Sequence, residues 1–106
     1  MCKQISAEYV LGSILTFKSD GISLTDLKNF ERIASKLENT YIMDISRSSV
    51  FNAIGNWSDY FDFTDDIIVL SDYYKSNIDR IRYLFFDTMD NAFQKIIIKA
   101  VKEMYM

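Results

Sequence analysis

Apolar residues recur at helical spacing through most of this chain and switch to alternation in one stretch. Tyr9, Val10, Ile14 and Phe17 fall near a 3.6-residue period, and Leu11 and Leu15 widen the stripe. They predict a helix over residues 6–18, with Ser6 as its cap. Ser19-Asp20-Gly21 reads as a turn and Ile22-Ser23-Leu24 as a brief extended segment. Thr25 then caps a second helix, with Asp26 in the first turn, where the helix dipole favours an anion. Its Leu27, Phe30, Ile33, Ala34 and Leu37 form the clearest amphipathic pattern of the first half. Glu38-Asn39-Thr40 ends that helix, and Tyr41-Ile42-Met43 is either extended or a short helical turn. Asp44 or Ser46 caps a third helix, which turns Val50, Phe51 and Ile54 inward and stops at Gly55-Asn56.

The alternation comes next. Tyr60-Phe61-Asp62-Phe63 alternates in part, Thr64-Asp65-Asp66 is turn chemistry, and Ile67-Ile68-Val69-Leu70 is rich in β-branched residues. Together they predict an antiparallel hairpin, with Ile22 to Leu24 available as a third strand. From Ser71 onward, Tyr74, Ile78, Ile81, Phe85, Met89, Phe93, Ile96, Ala100 and Met104 repeat at steps of three and four with no proline or glycine between them. This tract is one long helix, or two that break near Asp87-Thr88 with Thr88 capping the second. Leu84, Phe86, Ile97, Ile98, Val101 and Tyr105 make it apolar on more than one side, which predicts a homodimer through Phe85, Met89, Phe93 and Ile97. The fold class expected is mainly α with a small β-hairpin. Residues 1–70 would form the core and residues 71–106 a C-terminal helix or helix pair within one structural domain.

At 106 residues the chain fits one domain, long enough to bury about 65% of its unfolded surface without staples. It has no histidine, which removes the commonest general base and metal ligand. Its one cysteine, Cys2, can form neither an internal disulfide nor a thiolate zinc site and reads as a frayed terminal thiol. No glycine-rich phosphate loop and no paired carboxylates in an apolar setting occur, so no enzyme, cofactor or metal is expected. Asp62, Asp65 and Asp66 miss the calcium-loop spacing, including its glycine and closing glutamate. No signal peptide or membrane-length apolar run is visible, and a reducing, cytoplasmic setting is expected. The skew toward Ile, Asn, Asp, Lys, Phe and Tyr fits an A/T-rich coding sequence, as in low-GC bacteria and their phages or plasmids.

The net charge of −3 is unevenly spread. Residues 1–58 balance six bases against six acids, residues 59–72 hold five aspartates and no base, and the remainder is +2. A chain built for non-specific nucleic-acid binding is expected to be basic overall, so this balance argues against a purely electrostatic binder. Lys95, Lys99 and Lys102 lie three and four apart, but the dipole at a helix C-terminus accounts for cations there. Trp57, with Tyr60, Phe61 and Phe63 nearby, reads as core under the hairpin rather than a base-stacking platform, because its surroundings are acidic.

The order helix, short strand, helix, helix, hairpin, long helix resembles the winged helix-turn-helix superfamily over residues 6–70. The local match is Ile45-Ser46-Arg47-Ser48-Ser49-Val50-Phe51-Asn52-Ala53-Ile54, similar to recognition helices of bacterial regulators. The resemblance implies that Arg47, Ser48, Ser49 and Asn52 face a DNA groove, with Arg pairing to guanine or phosphate, Asn to adenine and the serines to backbone oxygens. It also implies a C-terminal dimerisation helix. Two features depart from that pattern: the link from Leu37 to Ser46 is long for a compact helix-turn-helix, and a wing carrying Asp59, Asp62, Asp65 and Asp66 would repel phosphates. Two functions are therefore expected from this sequence. One is a small DNA-binding transcription or replication regulator. The other is a protein-binding module whose four aspartates dock on a basic partner, such as a phage-encoded inhibitor of the anti-CRISPR kind that imitates nucleic acid.

Overall fold

A computed structural model describes residues 3–37 and 41–105; Cys2 and the Glu38-Asn39-Thr40 helix stop lie outside them. The element order is β1 (Lys3–Ile5), α1 (Ala7–Phe17), β2 (Ile22–Ser23), α2 (Leu24–Leu37), β3 (Tyr41–Met43), α3 (Arg47–Asn56), β4 (Phe61–Thr64), β5 (Ile67–Leu70), α4 (Asp72–Lys75), α5 (Ile78–Arg82), a π-helical turn (Tyr83–Asp87) and α6 (Asn91–Tyr105). The molecule is mostly helical with a small three-stranded antiparallel sheet ordered β2-β5-β4. Ile22 pairs with Ile68, and Phe61, Phe63 and Thr64 pair with Leu70, Ile68 and Ile67. β1 and β3 form a separate two-stranded parallel ladder, which the sequence pattern does not announce because each strand is only three residues long.

Helix α1 is the centre of the core. Val10, Leu11, Ile14 and Leu15 are fully buried, whereas Tyr9 and Phe17, at the edges of the same stripe, stay partly exposed. Ser6 occupies the cap position, but its side chain makes no capping bond. Helix α2 is capped two residues earlier than expected: the Ser23 hydroxyl accepts from the Asp26 amide at 3.1 Å, and the Ser23 amide donates to the Asp26 carboxylate at 3.3 Å. This reciprocal box satisfies two amides at once, and Thr25 is left inside the helix. The hairpin reverses through Asp65 and Asp66, both left-handed at φ 52° and 63°, as a two-residue primed turn requires.

The C-terminal tract is not one helix. It breaks at Ser76-Asn77 and again at Thr88-Met89-Asp90, and Asp90 rather than Thr88 caps α6 by accepting from the Phe93 amide at 2.9 Å. Thr88 instead donates back to the Leu84 carbonyl. Between the breaks, the π turn brings Phe85 against Tyr9, Trp57, Tyr60 and Phe61, with ring centroids 5.0 to 6.2 Å apart. The extra residue in that turn frees carbonyls, and side chains take them up. Buried Ser13 donates to the Phe85 carbonyl, and the Gln94 amide donates to the carbonyls of Phe86 and Met89.

This packing corrects the expected dimer face. Phe85, Phe93 and Ile97 are buried within the single chain at 1%, 0% and 0% exposure, and half-buried Met89 lies against Ser13. Helices α1 and α2 cover the apolar sides of the tract. The surplus of apolar positions is taken up within the chain, where the tract folds into several pieces.

Candidate functional site: the face of helix α3 and the hairpin

Helix α3 buries Val50 and Ala53 and half-buries Ile54, leaving Arg47, Ser48, Phe51, Asn52, Gly55 and Asn56 outward. Phe51, expected inside, is 38% exposed. The buried side of α3 is centred on Val50 and Ala53, and Phe51, one 100° step from Val50, falls at its edge. The Phe51 ring meets Phe63 of β4 edge-on at 5.3 Å, and Arg47 lies 5.2 Å above it from one turn earlier. Strand alternation places Phe61 and Phe63 on the inner face of the hairpin and Asp62 on the outer one.

The four aspartates do not form one patch. Asp59 sits at the hairpin base, where its carbonyl accepts from Ser71. Asp62 is mid-strand, and Asp65 and Asp66 make the tip, two residues beyond Phe63. All four are exposed. The Phe51–Phe63 contact seats the strand that leads into the tip against α3, with Asp65 and Asp66 two and three residues further along the chain. Ile67, beside the tip, is 45% exposed and adds an apolar element.

The four residues assigned to a groove are also not equivalent. Ser46 caps α3 by accepting from the Ser49 amide at 3.3 Å; its hydroxyl lies 2.7 Å from that of Ser49 and 3.4 Å from that of Ser48, and it donates to Asp44 at 3.2 Å. Hydrogen bonds from Ser49 first, and then from Ser46, hold the Asp44 carboxyl below its ordinary value, outweighing partial desolvation. A carboxylate of the chain itself thus stands at the α3 N-terminus, where the aligned amides would attract a phosphate. Arg47 borders a depression shared with Leu24, Thr25 and Lys28, while Asn52 borders another shared with Ser6, Glu8 and Asn56. Ser49 and Asn52 line the same depression, and Arg47 lies apart from them on the other. Ser48 and Asn52, one turn apart, share the centre of the outward face.

Trp57 closes α3 against the core. It is half-buried, packs on Phe85 and Tyr60, and donates from Nε1 to Glu8 at 2.7 Å. Among the described residues no group of histidine, cysteine or carboxylate side chains is arranged to hold a metal, and no helix is long and apolar enough to cross a membrane. No family model matches the chain, and no curated protein or solved structure matches it either.

Proposed function

We propose that this chain is a winged-helix scaffold used as a protein-binding module, which docks the α3 and hairpin face on a basic partner surface. The observation that supports this reading is the seating of Phe63 on Phe51, which ties the strand leading into the Asp65–Asp66 tip to the exposed side of α3. A duplex laid on α3 would bring its phosphates toward those carboxylates and toward Asp44, with Arg47 as the one cation on the helix. A basic protein surface meets the same charges favourably, and exposed Phe51 and Ile67 supply the apolar anchors that protein interfaces use and phosphate backbones do not. What supports the scaffold is the order α1, β2, α2, α3, β4, β5, with β5 between β2 and β4.

The test is an anisotropy titration of a labelled arginine-rich peptide with the wild type and with Asp62→Asn/Asp65→Asn/Asp66→Asn. The variant is expected to lose most of the binding. Equal binding by both proteins would remove the reading. Sequence-specific DNA recognition is the second reading, favoured by the exposure of Arg47, Ser48 and Asn52 on a capped helix. It requires a duplex from the gene's upstream region to bind in the presence of excess unrelated DNA, and Arg47→Ala to abolish that binding.

A further inference from the structure

Helices α2 and α6 pack side by side and run in opposite directions. Leu37 at the end of α2 lies beside Ala92 and Ile96 at the start of α6, and Tyr105 at the end of α6 lies beside Asp20, just ahead of α2. Their buried sides, Leu27, Phe30 and Ala34 on one and Phe93, Ile97 and Ala100 on the other, face the core. The opposite sides hold twelve exposed residues, of which six are cations (Lys28, Arg32, Lys36, Lys95, Lys99, Lys102) and one, Glu103, is an anion. On each helix the cations stand at steps of three or four and form a stripe about 10 to 12 Å long.

The helix dipole does not account for this pattern. It favours cations in the last turn, which covers Lys36 and Lys102, but Lys28 and Lys95 are each the fifth residue of their helix. Ion pairing does not account for it either: the ion pairs among the described residues, Lys75 with Asp72 and Arg82 with Asp87, involve neither helix. The chain is acidic overall, yet this face carries half of its twelve cations, opposite in sign to the hairpin.

We infer that the outer face of α2 and α6 binds the phosphate backbone of duplex nucleic acid without reading its sequence. Charge complementarity selects a polyanion. None of the exposed large hydrophobic residues lies on either helix, so the face lacks the anchors that a lipid interface or a protein hot spot would use. Two parallel stripes of point charges at about 6 Å intervals suit a repeating row of phosphates, with one charge per 3.4 Å of each strand. This surface meets α3 at one flank, where Lys28 and Arg47 border the same depression, but it does not depend on the role of the hairpin.

A labelled random-sequence duplex of about 20 base pairs, titrated with the full chain between about 50 and 200 mM salt, tests the inference. Saturable binding is expected at the lower salt, weakening about a hundredfold to a thousandfold at the higher. Lys95→Gln/Lys99→Gln/Lys102→Gln and Lys28→Gln/Arg32→Gln/Lys36→Gln are each expected to reduce the log–log salt slope by about two to three. All six positions are exposed, and unchanged thermal unfolding would verify that each variant is folded. Asp65→Asn/Asp66→Asn, which tests the hairpin reading, is expected to keep the full slope. Absence of saturable binding at the lower salt, or an undiminished slope in both lysine variants, overturns the inference. Preferential binding to phosphatidylserine vesicles overturns it in favour of a membrane. Self-association that the lysine variants abolish, without duplex binding, overturns it in favour of a second copy.

Discussion

Gly12 shows how one residue sets the position of the largest aromatic cluster. A Cβ built there would stand 2.3 Å from Cγ of Phe85, far inside contact distance, and a buried ring has no room to retreat. Gly12→Ala is expected to cost about 1 to 3 kcal/mol through overpacking, measured as a lower urea midpoint with unchanged slope. A neutral result would mean that the π turn can slide and that Phe85 is not held against α1. The same scale explains why the α3 face resisted reading from sequence. Val50 and Phe51 are adjacent and both apolar, and only the fold shows that Val50 is covered while Phe51 stays at the edge against Phe63. Asp44 reads as a cap, and its place in the serine network at the α3 N-terminus appears only once Ser46, Ser48 and Ser49 are folded together.

At the level of elements, periodicity located α1, α2, α3 and the hairpin to within a residue or two, because each buries one face against α1 or the sheet. Ile22-Ser23 as the third strand was legible for the same reason, since Ile22 continues the alternation across the sheet. The C-terminal tract was not. Its spacing fits both one long helix and a broken one, and of the side chains that take up the freed carbonyls, Ser13 comes from α1 and Gln94 from beyond the break, on α6. The hairpin tip gives a second test. Two aspartates at positive φ are less comfortable than an aspartate followed by glycine, so Asp66→Gly is expected to stabilise by about 0.5 to 1 kcal/mol, seen as a raised melting temperature. Destabilisation would mean that the tip does not adopt a primed turn.

The whole molecule presents two faces of opposite charge joined by one core, a division invisible in a net charge of −3. Composition gave the acidic hairpin, because its aspartates are contiguous in sequence. Of the basic face, Lys95, Lys99 and Lys102 stood out in sequence and were assigned to the helix dipole, whereas their neighbours on α2, more than fifty residues away, are united with them only by the packing of α2 on α6. The same packing covers Phe85, Phe93 and Ile97, so the protein is expected to be monomeric by light scattering at high micromolar concentration; a stable dimer would require a surface other than those residues. The most direct test of the α3 and hairpin face is a nitrogen-15 correlation spectrum recorded while an arginine-rich peptide is added. The amides of Phe51, Asp62, Asp65, Asp66 and Ile67 should shift together and saturate, with those of Lys95, Lys99 and Lys102 unmoved. Shifts confined to other surfaces, or a spectrum that does not change, would contradict the assignment of this face to a basic partner.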